Sequence, residues 1–256
     1  MMKEKGKYIG INQRIPFKVL NDGIIRLLQS GENTLNDFRQ DMSQYSKGVN
    51  RIEKASKYAI QTLSRPTIIK TIQSKFDPET FNLLSETDRK AMVLCLLALT
   101  YPITYDMLVS LSAIFKVQPQ VNRSTINSKM SAHYGSNRTL DIAIDALIPM
   151  IIELNTIKRT KVSIYELEAR KTIKNPFISE LYIYTDIKLS GSKTILFDDL
   201  QFRPWFMYFE PLLNLNKMSI LKHSEGRVGG GYVGIRTLTT NSLLENKMNR
   251  LTDKDS

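Results

Sequence analysis

The sequence predicts a mainly α-helical protein with a small antiparallel β segment near its C-terminal end. Two observations support this fold class. Up to about residue 170, apolar side chains recur at the three- and four-residue spacing of helices, with residues suited to helix ends at the borders of these segments. After residue 176 the pattern changes to partial alternation of apolar and polar residues, which is typical of strands.

Four short helices are predicted before residue 76. Pro16 stands where the first would begin and Gly31 where it would end. Thr34 is suited to cap a second helix over residues 35–44, and Pro66 fits the first turn of a fourth, where its missing N–H would be unpaired in any case. The third helix is predicted from apolar residues at helical spacing, namely Ile52, Ala55, Ala59 and Leu63.

The charge balance changes near Phe76, Asp77 and Pro78. This change predicts a boundary between a basic helical module, residues 1–76, and a second domain, residues 77–170. In the second domain Ser85 is suited to cap a strongly apolar helix that ends at residue 99, and a further helix is predicted over residues 105–115. Cys95, inside the apolar helix, is predicted to be a buried and unreactive thiol.

A helix, a turn and a second helix are predicted between residues 126 and 154. Residues 126–134 have the pattern of a short helix, and Gly135 fits a tight turn. Ser136 and Asn137 are suited to cap a second helix that starts near Arg138. Pro149 inside this second helix is expected to kink it and to limit its usable length.

A basic hairpin is predicted to follow the second helix. Asn155 can adopt the left-handed conformation that ends a helix, and Ile157 would start a strand. The hairpin carries Lys158, Arg159 and Lys161, and its inner edge is predicted to hold Val162, Ile164 and Tyr165. Helix, turn, helix, strand and basic hairpin in this order predict a winged helix-turn-helix domain.

In a winged helix the second helix enters the major groove of DNA and the wing lies along the backbone. The candidate DNA contacts are therefore Ser136, Asn137, Arg138 and Thr139 at the helix start and Lys158, Arg159 and Lys161 in the wing, with Lys129 and His133 as weaker candidates. Asp141 and Asp145 argue against this interpretation, because carboxylates on the outer side of the helix repel phosphates. The alternative is a winged helix used only for protein contacts or oligomerisation.

The chain has an excess of positive charge, with 36 Lys and Arg against 25 Asp and Glu and a net charge of +11. Most of the excess precedes residue 76, since residues 1–75 hold 14 basic and 6 acidic side chains. Arg51, Lys54 and Lys57 follow one another at three-residue spacing on the third predicted helix. Such a surface suits nucleic acid, an anionic membrane or an acidic protein, unless it serves solubility alone. We expect double-stranded DNA as the partner, protein partners within a larger complex, and no membrane.

The C-terminal part is predicted to contain little helix. Residues 171–216 are expected to form a small β meander, with strands over residues 178–189, 194–197 and 205–208. Residues 217–256 are polar, include three consecutive glycines, and are expected to form a flexible tail.

The order of these parts resembles that of BrxA, the small DNA-binding proteins of BREX phage-defence systems. The resemblance covers roughly residues 14–165 and depends on the basic helical module, the apolar helix over residues 91–99, the segment Tyr101-Pro-Ile-Thr-Tyr-Asp106-Met-Leu108 and the winged helix. It implies sequence-tolerant binding of duplex DNA and no catalysis by this chain alone. The β segment after residue 176 departs from that pattern.

The competing hypothesis is an enzyme. Asp186-Ile187-Lys188, after an apolar segment, resembles the D-x-K half of a nuclease site, in which carboxylates hold Mg²⁺ and the lysine activates water. Candidates for its upstream acid are Glu166, Glu168 and Glu180. The glycine-rich residues 226–234 lack the lysine and hydroxyl of a phosphate-binding loop, and one cysteine and two histidines leave little for a metal site. We expect no catalytic residues, metal or cofactor, with a metal-dependent nuclease or a protein scaffold as the alternatives.

Two further expectations concern apolar residues. The aromatic cluster Phe202, Trp205, Phe206, Tyr208 and Phe209 could stack on unpaired bases, but a buried core explains it better.

The charged N-terminus lacks the long apolar run of a secretory signal, and the longest apolar run, residues 91–99, is far shorter than the roughly 20 residues that cross a bilayer. We therefore expect a cytoplasmic protein.

Overall fold

Helices account for most of the computed structural model, which describes residues 7–192, 194–196, 199–212, 226–230 and 236–240. The α-helices are α1 Phe17–Ser30, α2 Leu35–Ser43, α3 Val49–Thr62, α4 Pro66–Lys75, α5 Pro78–Asn82, α6 Glu86–Thr100, α7 Pro102–Phe115, α8 Arg123–Tyr134, α9 Arg138–Glu153 and α10 Pro176–Ser190. Two 3₁₀ helices cover Leu200–Phe202 and Pro204–Met207. The predicted mainly α fold is confirmed.

Within the same residues, short strands form three small sheets. The strands are β1 Gln120–Asn122, β2 Ile157–Lys161, β3 Ile164–Leu167, β4 Lys171–Thr172, β5 Thr194–Leu196, β6 Phe209–Glu210, β7 Gly226–Gly230 and β8 Arg236–Thr240. The first sheet is antiparallel, with β3 between β1 and β2. Strands β4 and β6 pair in parallel, and β5, β8 and β7 form a second antiparallel sheet in that order.

The helix ends follow the local chemistry of the sequence. Thr34 and Asp37 form a reciprocal cap at the start of α2, in which each side chain accepts a hydrogen bond from the other residue's backbone N–H. Ser85 caps α6 by accepting from the N–H of Asp88 at 3.1 Å. Gly31 has φ +84° and ends α1 in the left-handed conformation. The predicted ends of these helices are thus confirmed, whereas α7 begins three residues before residue 105, at Pro102.

Helix α6 lies at the centre of the core. Every side chain from Ala91 to Leu99 is buried, and α1, α3, α7 and α10 all pack against this helix. Cys95 is buried as predicted, and burial raises the pKa of its thiol to about 12. One cluster of buried apolar side chains runs from Ile11 to Phe209, so the core is continuous across the boundary predicted near residue 76.

Helix α10 covers the whole segment 178–189, for which we predict a strand, and that prediction is wrong. The Asn175 side chain caps this helix by accepting from the N–H groups of Phe177 and Ile178 at 3.0 and 3.2 Å. Gly191, with φ +68°, ends it. Ten of its fifteen residues are buried. Because a helix buried on nearly all sides needs apolar residues on every face, the helical period is absent from the sequence.

The rest of the predicted β meander is also largely wrong. The strand predicted over residues 205–208 is the 3₁₀ helix Pro204–Met207, followed by the two-residue strand β6. Strand β5 confirms the prediction for residues 194–196, and residue 197 lies outside the described residues. Four of the five clustered aromatic side chains are buried as expected, and Phe202, 69% exposed, is the exception.

Most of the tail predicted for residues 217–256 lies outside the described residues. Its described parts, β7 and β8, form a hairpin that pairs with β5, so a flexible tail is wrong for those ten residues. Backbone hydrogen bonds between strands explain this order, since they need no apolar pattern in the sequence. The glycines of β7 are one reason why the composition predicts a flexible tail here.

No single helix in the described ranges is long and apolar enough to cross a membrane. Helices α6 and α7 have the length and apolar composition of a membrane span only when they are taken together, and the chain bends by 113° between them.

A buried ion pair joins α10 to the segment before the second 3₁₀ helix. The fully buried carboxylate of Asp186 accepts hydrogen bonds from the Nε of Arg203 and, at 2.7 Å, from the hydroxyl of Tyr105. Burial raises the pKa of Asp186 above its ordinary value, and the Arg203 guanidinium opposes this rise.

We expect Arg203→Met to lower the free energy of unfolding by about 3 kcal/mol at pH 7, because it leaves Asp186 charged, buried and without its cation. The folded state then binds a proton at higher pH than the unfolded state, in which the ordinary pKa of 3.8 applies. The difference in unfolding free energy between wild type and Arg203→Met, here called the deficit, should therefore shrink as the pH falls through the raised pKa of Asp186 towards 3.8. Urea denaturation at a series of pH values measures it.

The double variant Asp186→Asn, Arg203→Met is the control. Its own free energy of unfolding should lack the pH dependence that Asp186 gives to Arg203→Met, since no buried carboxylate remains at this position. A deficit in Arg203→Met that is equally large at every pH would contradict the assignment.

Candidate nucleic-acid interface

Helices α8 and α9 form the predicted helix, turn and helix. Gly135, with φ +75°, ends α8, and the Oδ1 of Asn137 caps α9 by accepting from the N–H of Leu140 at 2.9 Å. The Asn122 side chain caps α8 in the same way, through the N–H of Thr125 at 2.8 Å. Helix α8 thus begins at Arg123, three residues earlier than expected. Pro149 does not end α9, which continues to Glu153.

The basic hairpin is formed by β2 and β3, with Val162 and Ser163 in its turn. Asn155 has the predicted left-handed conformation, with φ +57°. The carbonyl oxygen of Ser163 accepts a hydrogen bond from the N–H of Arg123 at 3.0 Å, which fixes the turn to the start of α8. Strand β1 adds to β3 on the other side, so β3 is paired along both edges.

One residue of the hairpin is placed differently from the prediction. Tyr165 is buried and Ile164 is partly buried, as an inner edge requires, but Val162 lies at the tip and is 89% exposed. The difference arises because the alternation stops at a turn. The pairing of β2 with β3 also shifts register between Arg159 and Lys161.

The structure exposes all the candidate contacts. They lie on the outer side of α8, at the start of α9 and along β2, and they are Lys129, His133, Ser136, Asn137, Arg138, Thr139, Lys158, Arg159 and Lys161. The Oδ1 of Asn137 is committed to the cap of α9, so this residue positions the helix rather than offering a free acceptor.

The carboxylates of this region have internal partners. Asp141 accepts from the Nδ2 of Asn127 at 2.6 Å, and Asp145 pairs with Arg123 at 2.9 Å. Glu166 accepts from Gln120 at 2.8 Å and lies 3.5 Å from the Nζ of Lys158. Both groups hold α8 against α9, and the objection that they repel phosphates is weaker for Asp145, because the charge of Arg123 balances it.

Several cations of the same region have no such partner. Among the described residues, no carboxylate pairs with Lys129, Arg138, Arg159 or Lys161. The guanidinium of Arg159 lies over the ring of Tyr165, 5.6 Å from its centre. The start of α9 and the hairpin thus carry positive charge that the protein itself does not neutralise.

The basic residues of α3 form a second group. Arg51, Lys54 and Lys57 are exposed, and Lys57 pairs with Glu53 at 3.2 Å. Hydrogen bonds from Arg39 and Lys57 lower the pKa of Glu53 to about 2. Lys57 is therefore partly neutralised, whereas Arg51 and Lys54 have no carboxylate partner in the described part of the chain.

The D-x-K motif does not have the geometry of a nuclease site. It lies on helix α10 instead of a strand, and residues two positions apart on a helix face different directions. Asp186 points into the core, where Arg203 and Tyr105 hold it, and Lys188 is exposed. No group of three or more His, Cys, Asp or Glu side chains in the described ranges is arranged to hold a metal ion.

Comparison with known proteins gave no match among family models, curated proteins or solved structures.

The sequence does not predict the roles of three residues that define this region. Arg123 holds both Asp145 and the hairpin turn, and Glu153 at the end of α9 pairs with Arg14. Val162 is the exposed tip of the hairpin. The position of Arg123 directly after the potential cap residue Asn122 was the available signal, whereas its partners depend on contacts between elements.

We expect Asn137→Ala to lower the free energy of unfolding by about 1 kcal/mol, because the N–H of Leu140 loses its acceptor. Ser136→Ala is the matched control, since Ser136 is exposed beside it and does not cap the helix. Chemical denaturation of both variants measures the difference. Equal stability of the two would contradict the assigned cap.

Proposed function

We propose that this chain is a cytoplasmic, non-catalytic protein that binds duplex DNA through a winged helix-turn-helix. The proposed reading helix is α9, and the proposed wing is the β2–β3 hairpin. One observation carries the proposal: the four carboxylates between residues 120 and 166 all have internal partners, whereas Arg138 at the start of α9 and Arg159 and Lys161 in the hairpin have no carboxylate partner among the described residues.

The order of elements supports the same proposal. Strand β1, helices α8 and α9, and the β2–β3 hairpin follow one another, and β3 pairs with both other strands. In winged helices this arrangement places the start of the second helix in the major groove and the wing beside the phosphates. Arg138 would then reach base edges, where arginine favours guanine, and Lys161 would contact the backbone.

The basic helical module supplies a second source of attraction in this proposal. Its Arg51 and Lys54 are exposed without carboxylate partners in the described ranges, and residues 1–75 carry most of the excess positive charge. Contacts to phosphates carry no sequence information, so this surface would raise affinity for any duplex. The resemblance to BrxA is consistent with this role and implies protein partners within a phage-defence or mobile-element system.

The salt dependence of DNA binding tests the wing. The slope of log Kobs against log salt concentration is negative for binding through phosphates. Lys161→Gln should make this slope shallower by about 0.9, the value for one lost phosphate contact. Lys116→Gln removes the same charge from the end of α7, and it should leave the slope unchanged. Arg138→Ala should instead alter the preference among duplex sequences.

Gel-shift or anisotropy titrations of these variants, with and without Mg²⁺, decide between the functions. If wild type does not bind duplex DNA even at low salt, the protein-scaffold alternative replaces the proposal. If the protein cleaves DNA only with metal and Asp186→Asn abolishes this cleavage, the nuclease hypothesis replaces the proposal.

Asp145→Asn should strengthen DNA binding. The change removes a charge that is 68% exposed on α9 and leaves the positive charge of Arg123 without its carboxylate partner. By the usual strength of exposed charge pairs, we expect affinity to rise about two- to fivefold at low salt. Glu79→Gln, which removes an exposed carboxylate on α5, is the control and should change affinity little. Weaker binding by Asp145→Asn would place α9 outside the interface.

A further inference from the structure

The tip of the β2–β3 hairpin presents an apolar side chain directly after basic ones. Val162 is 89% exposed in the turn, and Arg159, Thr160 and Lys161 precede it on β2, all of them exposed. Among the described cations, Arg159 and Lys161 have no carboxylate partner. A single exposed valine is ordinary on a protein surface, but this one stands in the turn of a hairpin whose first strand is basic.

The backbone holds this tip in place. The carbonyl oxygen of Ser163 is bound by the N–H of Arg123 at 3.0 Å, and Ser163 has the left-handed conformation, with φ +59°. Strand β3, which follows the tip, is paired with β2 on one side and β1 on the other. Since the tip is already fixed, little conformational entropy is lost when it binds.

We propose that Val162 enters the minor groove of the duplex and favours A·T pairs there; this inference rests on the DNA binding proposed above. The minor groove is about 6 Å wide, which admits a small branched side chain at the tip of a hairpin. Lys161 and Arg159 then lie towards the phosphates that border the groove, and narrow A·T-rich grooves attract such cations most strongly.

The preference for A·T follows from hydrogen bonding. Guanine places its 2-amino group on the floor of the minor groove, whereas A·T pairs have only acceptors there. The isopropyl group of Val162 offers no acceptor, so the N–H of the guanine amino group that is not paired with cytosine would be buried beneath it without a partner. The major-groove edge of guanine, which α9 would contact, is unaffected by this amino group.

Deoxyinosine makes this inference testable, because it is guanine without the 2-amino group. Two duplexes of one mixed sequence are compared, the first with guanine and the second with deoxyinosine at every guanine position. The expected gain from burying the valine methyl groups is about fivefold tighter binding of wild type to the inosine duplex. Val162→Ser should bind both duplexes about equally.

Val117→Ser is the matched control, because Val117 is 87% exposed in the loop before β1 and away from the hairpin tip. It should keep the wild-type preference for inosine. Equal binding of wild type to both duplexes, with a steep salt dependence, would overturn the role of Val162 and leave the proposed function intact. A preference that persists in Val162→Ser would also overturn it, since inosine would then act through duplex flexibility. Absence of binding to either duplex would overturn both proposals.

Discussion

Helix α6 must be covered on every side, because each side chain from Ala91 to Leu99 is buried. Helices α1 and α3 cover it from the N-terminal part, and α7 and α10 cover the rest. Only Tyr101 separates α6 from α7, and its hydroxyl donates to the carbonyl of Tyr58 on α3 at 3.0 Å. Because α8 and β1 pack on α7, the position of the proposed DNA interface depends on the packing around α6.

Hydrogen bonds to carboxylates fix the positions of these elements relative to one another. Asp88 on α6 accepts from the N–H groups of Lys174 and Asn175 at 2.8 and 3.1 Å, which places the start of α10. Asp106 on α7 accepts from Tyr134 on α8 at 2.6 Å and from Lys7 at 3.0 Å. Burial, together with the bond to Asp106, raises the pKa of the Tyr134 hydroxyl. Apolar burial thus holds the helices together, and these directional bonds determine how each one is oriented.

The sequence predicts the elements that have one exposed side and fails where burial is complete. Helices α1 to α4 show a helical period because one side of each faces solvent, and local caps such as Thr34 mark their ends. Helix α10 is buried on nearly all sides, so its apolar residues looked like a strand. The candidate cations were identified from the order of elements. The pairing of Asp145 with Arg123 was not, because the two residues are 22 positions apart and no local rule joins them.

Glu153 ties the last turn of α9 to the first turn of α1. Its carboxylate accepts from Arg14 and, at 2.9 Å, from the N–H of Phe17. Neither helix can shift alone without leaving that N–H unpaired. The separation between the cations of α9 and those of the basic helical module is therefore a property of the protein, and a duplex bound to both groups, as proposed, would have to bend wherever a straight duplex does not reach both. The elastic cost depends on the stiffness of the DNA, so base pairs that no side chain touches would contribute to selectivity.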